Sequence, residues 1–146
     1  METKKSLNNE QNNANKQILK KLIEEAFNNR NLDILEDVLH PDFINHQEVF
    51  PLKAKKGPEV FRELYSVFFH IFSDVKADYT HIISEGEYVM ARDFITGTND
   101  GEINGNPATG NKVKFEVFHL YRIKNGKLIE RWGLTDDLSL MNQLKS

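Results

Sequence analysis

The hydrophobic period of this chain changes once, near Asp74, from helical spacing to strict alternation, and that switch limits the fold to helices first and strands after. Before it, Ile18, Leu19, Leu22, Ile23, Ala26 and Phe27 form one apolar stripe over residues 16–29, with Asn15 as N-cap and the run Asn28-Asn29-Arg30-Asn31 as stop. A short second helix places Leu32, Leu35, Val38 and Leu39 inward and ends at His40-Pro41, because proline disfavours helix in the residue before it. An extended piece, Phe43-Ile44-Asn45-His46, follows. Gly57-Pro58-Glu59 then opens a third helix, with proline where its missing N–H is harmless. Val60, Phe61, Leu64, Tyr65, Val67, Phe68, Ile71 and Phe72 give this helix an apolar face wide enough to be covered on more than one side.

Beyond Asp74 the alternation predicts four strands, at 76–84, 87–98, 112–124 and 127–136. Glu85-Gly86 and Asn125-Gly126 are tight hairpin turns, and 99–111 is a longer connection. Asp137 to Leu144 is predicted to form a closing helix. Helices followed by hairpin-linked strands specify an α+β domain. A long twisted sheet curls around the third helix and leaves a cone-shaped cavity open at one end.

With 146 residues the chain is one domain by size. Residues 16–146 carry the pattern, and the Asn-, Lys- and Gln-rich residues 1–15 are expected to be a disordered tail. A net charge of -3 argues against a nucleic-acid surface, and no apolar run is long enough to cross a bilayer. The chain has no cysteine, which removes disulfides and thiolate chemistry. Its first residues lack the apolar core of a signal peptide, so the cytoplasm is the expected location.

The last strand is the most informative. Strict alternation puts Leu128, Glu130, Trp132, Leu134 and Asp136 on one face, and Ile129, Arg131, Gly133 and Thr135 on the other. The first set holds the only tryptophan and two leucines, so it is expected to be covered. A carboxylate held among apolar side chains is a general acid or base suited to neutral pH. Asp136 has a structural alternative, as N-cap of the helix beginning at Asp137. On the preceding strand Val113, Phe115, Val117, His119, Tyr121 and Ile123 share the more apolar face. His119 is there either a hydrogen-bonded core residue or a catalyst, and a carboxylate partner would fix its tautomer. His46 lies in a segment expected to cross the mouth of the cone. Histidine spacing gives no support to a metal site, and the glycines of 101–110 match neither a P-loop nor a dinucleotide fingerprint. Arg92 and Asp93 fall on opposite faces of their strand, and the sequence leaves open which is inside.

The stretch Gly97-Thr98-Asn99-Asp100-Gly101, continuing to Pro107-Ala108-Thr109-Gly110, resembles a signature of the SnoaL-like polyketide cyclases, with Asn99 where that family usually has histidine. Tyr121-Arg122-Ile123-Lys124-Asn125-Gly126-Lys127-Leu128-Ile129-Glu130-Arg131-Trp132, and then Asp136 and Leu140 to Leu144, resemble its C-terminal motif. Phe43 to His46 and Phe72-Ser73-Asp74 are similar to two shorter elements. The resemblance implies the nuclear-transport-factor-2-like fold and cofactor-independent, metal-free aldol ring closure with Asp136 as general acid/base, and the expected function is general acid/base chemistry of the aldol cyclase, isomerase or dehydratase type. His119 or His46 would be the donor near the enolate oxygen. Trp132, Glu130, Phe115, Val117, Tyr65 and Phe68 are the expected substrate-binding residues. The expected ligand is a small apolar or aromatic compound bearing a ketone, and the alternative is a non-catalytic domain binding a small molecule or partner. Phe118, Leu120 and Ile95, placed on the outer sheet surface, lead to the expectation of a homodimer.

Overall fold

The computed structural model describes residues 3–145. A first helix, α1 (Lys4–Lys21), continues as a π-helical stretch, Leu22–Asn28, and a 3-10 turn, Leu32–Ile34, leads into the short α2 (Leu35–Val38). Then come β1 (Leu39–Asn45), α3 (Pro58–Ile71), β2 (Lys76–Glu85), β3 (Tyr88–Thr98), β4 (Lys112–Lys124), β5 (Lys127–Thr135) and α4 (Asp137–Lys145). The strands form a curved sheet in the order β1-β5-β4-β3-β2, antiparallel except for the β1–β5 pair. The α+β architecture is the one the change of period predicts.

Helix α1 starts well before the expected boundary, so residues 4–15 are helical instead of a disordered tail. Thr3 caps it by accepting a hydrogen bond from the Ser6 N–H. Asn15, expected as an N-cap, lies mid-helix and is buried; it accepts from Gln11 and donates to the Gly86 carbonyl, tying α1 to the β2–β3 turn. Polar residues concealed this helix, because the stripe that signals burial begins only at Ile18.

The core lies between the helices and the inner face of the sheet, built from Leu19, Leu22, Phe27, Phe61, Leu64, Val89, Phe115 and Tyr121 among others. Phe43 and Phe61 meet edge to face across β1 and α3, and Tyr65 stacks on Phe61. The extended piece expected at 43–46 is the end of β1, which pairs with β5 and closes that side of the sheet. Ile95, expected on the outer surface, is buried and faces inward with Val89 and Ala91. The 99–111 connection folds back under α3, where the Asp100 and Gly101 N–H groups both donate to the Ile71 carbonyl. A Cβ at Gly101 would lie 2.1 Å from the His70 carbonyl oxygen, so glycine is required there. Buried Asn99 organises the same turn by accepting from the Thr109 N–H and hydroxyl. Among the described residues no helix is long and apolar enough to cross a membrane.

Candidate active site

The alternation of β5 is broken by one extra residue. Arg122 pairs with Glu130 but its neighbour Ile123 pairs with Leu128, leaving Ile129 as a β-bulge. Leu128 and Ile129 are both buried, and every residue after the bulge changes face relative to strict alternation. Glu130, Trp132 and Leu134 therefore lie on the outer side, with Trp132 38% and Leu134 75% exposed. Arg131, Gly133 and Thr135 turn toward the helices, and Arg131 is only 6% exposed. The expected covered face is thus the outer one beyond Leu128, and Trp132 and Glu130 are not in the cavity.

Between α3 and the sheet lies a cavity of about 70 Å³, walled by Phe27, Phe61, Leu64, Phe68, Ile95, Phe115 and Val117. On this measure one water needs roughly 10–15 Å³, so several would fit. Gln47, Tyr65, Asp93, His119, Tyr121, Arg131 and Thr135 are the polar residues that line it. Asp93, not Arg92, is the inward residue of its pair; Arg92 turns outward to an ion pair with Glu116.

Three of these groups form a chain across three neighbouring strands. Ala91 pairs with His119 and His119 with Gly133, so Asp93 on β3 and Arg131 on β5 are each two residues from a partner of His119 on β4. That diagonal spacing is within reach of long side chains. Arg131 Nε and Nη2 lie 3.1 and 2.8 Å from His119 Nδ1, and His119 Nε2 lies 2.8 Å from Asp93 Oδ2. A guanidinium only donates, so Nδ1 must accept and the ring proton resides on Nε2, donated to Asp93. Burial, and next the Arg131 charge, hold the His119 pKa below the ordinary histidine value, outweighing the pull of Asp93. The His119–Asp93 contact is therefore a hydrogen bond from a neutral ring, although its geometry alone would also suit an ion pair.

Asp93 is 2% exposed, and its second oxygen, Oδ1, has no hydrogen-bond partner among the described residues. Arg131 Nη1 is bonded to Asn45 Oδ1 at 3.0 Å and Gln47 Oε1 at 2.7 Å, so most of its donors are used within the protein. Gln47 in turn donates to the Thr135 hydroxyl at 3.0 Å. Gly133 makes room for this arrangement, since a Cβ there would lie 2.4 Å from Gln47 Oε1 and 2.5 Å from Arg131 Nη2. Burial pushes the Tyr65 phenol well above the ordinary tyrosine value and that of Tyr121 up to about 12, so both stay protonated donors.

Of the residues singled out in the sequence, His119, Phe115, Val117, Tyr65 and Phe68 line the cavity. His46 does not: its ring stacks on Trp132 at 5.0 Å and bonds Glu130 Oε2 at 2.9 Å. Glu130 also meets Arg122, and its carboxyl is held below the ordinary glutamate value by the His46 and Arg122 hydrogen bonds, opposite to the rise expected in an apolar pocket. Asp136 is exposed at the end of β5 and accepts from the Ser139 N–H at 3.1 Å, the helix-cap alternative. Sequence reasoning gave no role to Arg131 and Gln47 and left open whether Asp93 or Arg92 faces inward. The signal for Asp93 was available, since it shares parity with Val89, Ala91 and Ile95. No group of three or more histidine, aspartate or glutamate side chains able to hold a metal ion occurs among the described residues.

The family model for SnoaL-like polyketide cyclases matches residues 17–144. An aklanonic acid methyl ester cyclase from Streptomyces peucetius is 30% identical over 82% of this chain and 83% of its own length. A nogalonic acid methyl ester cyclase from Streptomyces nogalater is 28% identical over 82% of this chain and 89% of its own. Among solved structures, TsrD from Streptomyces laurentii superposes with a TM-score of 0.80 at 23% identity, covering 90% of this chain and 94% of that one. A SnoaL-like protein from Jannaschia sp. CCS1 gives 0.79 at 24% identity, covering 92% and 94%. These likenesses establish the fold as the nuclear-transport-factor-2-like one expected from the sequence.

Proposed function

Because the chain belongs to the SnoaL-like polyketide cyclase family, we propose that it closes a ring in a small polyketide-like carbonyl compound, with Asp93 as the general acid/base. The observation that carries this reading is Asp93 Oδ1, a buried oxygen without a hydrogen-bond partner among the described residues, on a residue that lines the cavity. A buried acceptor left open is costly unless something else fills it. A substrate carbon acid supplies that something.

Oδ1 takes a proton from the carbon next to a ketone, and the C–H electrons form the enolate. The enolate carbon bonds to a second carbonyl carbon of the same molecule, whose oxygen takes the C=O π electrons and then recovers the proton from Asp93. Protons and electrons balance with nothing gained or lost. The Tyr65 and Tyr121 hydroxyls, kept protonated by burial, are the donors for the oxygen on which charge develops. The Arg131 donors already used by His119, Asn45 and Gln47 make a neutral carbonyl compound a better fit than a carboxylate. In this reading Asp136 keeps its helix-capping role, and His46 stays outside the chemistry.

Thermal unfolding of wild type and Asp93→Asn against a panel of one- and two-ring aromatic ketones tests the proposal. A ligand at about a hundred times its dissociation constant stabilises by roughly 2.7 kcal/mol, a shift of several degrees in a domain this size. A ketone that stabilises the wild type and is turned over by it, but not by Asp93→Asn, is the expected result. Binding without turnover in both proteins would favour a ligand-binding module instead.

The expected homodimer has a candidate surface on the outer sheet face, where Ile83, Met90, Leu120 and Trp132 form one row across four strands. Phe118 pairs with Leu134 in the next row. Light scattering should return twice the 16.9 kDa chain mass, and a monomer would remove the dimer from the proposal.

A further inference from the structure

We infer that Arg131 is a positioning residue: brought inward by the Ile129 bulge, it locks His119 in the neutral Nε2–H tautomer so that the ring donates to Asp93 Oδ2 and leaves Oδ1 free. This rests on the role proposed above for Asp93 and adds the device that aims it.

The geometry leaves the imidazole one arrangement. Both Arg131 donors converge on Nδ1, so a proton there would face two N–H groups at 3.1 and 2.8 Å. The groups facing His119 are Asp93 from β3, Arg131 from β5, and Tyr121, whose ring stacks at 6.0 Å, from β4. Tyr65 on α3 lines the same cavity as His119, and the charges of Tyr121, Arg131 and Asp93 act on its phenol. Arg131 is itself held from its far side by Asn45 and Gln47, and flanked by the Phe61 and Tyr121 rings at 6.0 Å each. A group anchored on both sides and nearly saturated with partners is built to hold, not to bind a ligand. It also supplies the countercharge: as Asp93 accepts a proton and the substrate oxygen becomes negative, the Arg131 cation stays in place, so the buried charge remains balanced.

The bulge is what makes this possible. With strict alternation Arg131 would lie outside and Trp132 inside, and His119 would have no donor at Nδ1. Gly133 is the second requirement, because a side chain there would occupy the space of the guanidinium and of Gln47.

The test is nitrogen-15 NMR of the histidine side chains in the full chain, with the His119 signals assigned by their loss in His119→Gln. The wild type is expected to show a single neutral Nε2–H tautomer that does not titrate through about pH 6.5, where an unperturbed histidine is half protonated. In Arg131→Met that single tautomer should be lost, with the ring exchanging between tautomers or taking a proton. Gly133→Ala, which retains all three groups but displaces the guanidinium, should move the signals the same way. A wild-type His119 that is doubly protonated or carries its proton on Nδ1 overturns the inference, as does an unchanged tautomer in a folded Arg131→Met protein. If Arg131→Met does not fold, the wild type and Gly133→Ala decide. No substrate enters this experiment, so its failure is distinct from failure of the ketone experiments.

Discussion

The sheet carries two histidine–carboxylate pairs of nearly equal length, one on each face. His119 and Asp93 are 2.8 Å apart on the inner face, and His46 and Glu130 are 2.9 Å apart on the outer. Their surroundings make them different objects. The inner side chains are 13% and 2% exposed, the outer ones 39% and 23%. Inside, burial makes the histidine harder to protonate, so the pair is neutral ring and carboxylate. Outside, water and Arg122 surround the carboxylate, and its hydrogen bonds make it easier to ionise. Chemical identity and distance therefore do not set the protonation state of such a pair. Sequestration does, together with a third group that dictates which nitrogen holds the proton.

The comparison breaks most easily at Arg131. Removing one partner from a buried charged network costs about 3–5 kcal/mol, so Arg131→Met should lower the free energy of unfolding in urea by that order. A loss below about 1 kcal/mol would mean that the inner chain is no more consequential than a surface pair.

Acid should also separate the pairs. His119 has a folded pKa below its unfolded value, so the unfolded chain binds the proton that the folded one refuses. Stability is then full above the unfolded value of about 6.5 and declines as pH falls from there toward the folded pKa. The melting temperature of the wild type should drop more steeply than that of His119→Gln as pH falls below about 6.5. Parallel curves would place His119 among ordinary exposed histidines. Glu130, with a lowered pKa, acts in a lower window: its contribution is present above the unfolded value and lost as pH falls through the folded one.

The smallest effect belongs to the outer pair. Glu130→Gln should cost about 0–1 kcal/mol, as partly exposed ion pairs usually do, and leave ketone turnover unchanged. Lost turnover in a protein that folds normally would return Glu130 to the site.

Most of the fold was legible in the sequence because periodicity reports which face is buried. Strands β2 to β5 fall close to their predicted limits, and the Asn125-Gly126 turn has positive φ at both residues, 53° and 74°, as a tight hairpin requires. Polar Lys4 to Asn15 gave no apolar stripe, so the start of α1 was missed. The site was legible only as far as alternation held. His119 and Phe115 were placed correctly on β4, where the pairing with β3 runs without a shift. On β5 one extra residue at Ile129 inverted the reading from Glu130 onward, and nothing in the run Leu128-Ile129-Glu130 announces it. Both isoleucine and leucine suit a buried strand, so the bulge becomes visible only when the partner strand is present. Motif resemblance drew attention to Asp136 in the same way, by position along the chain, without the register that places it at a helix cap.

The central claim, that Asp93 moves a carbon-bound proton, is tested most directly by exchange of the α-protons of 2-tetralone in deuterated buffer, followed by proton NMR. The account predicts exchange accelerated by the wild type and by Asp136→Asn and Glu130→Gln, and reduced to the uncatalysed rate by Asp93→Asn. Exchange that survives Asp93→Asn but disappears in Asp136→Asn would contradict it and move the chemistry to the end of β5.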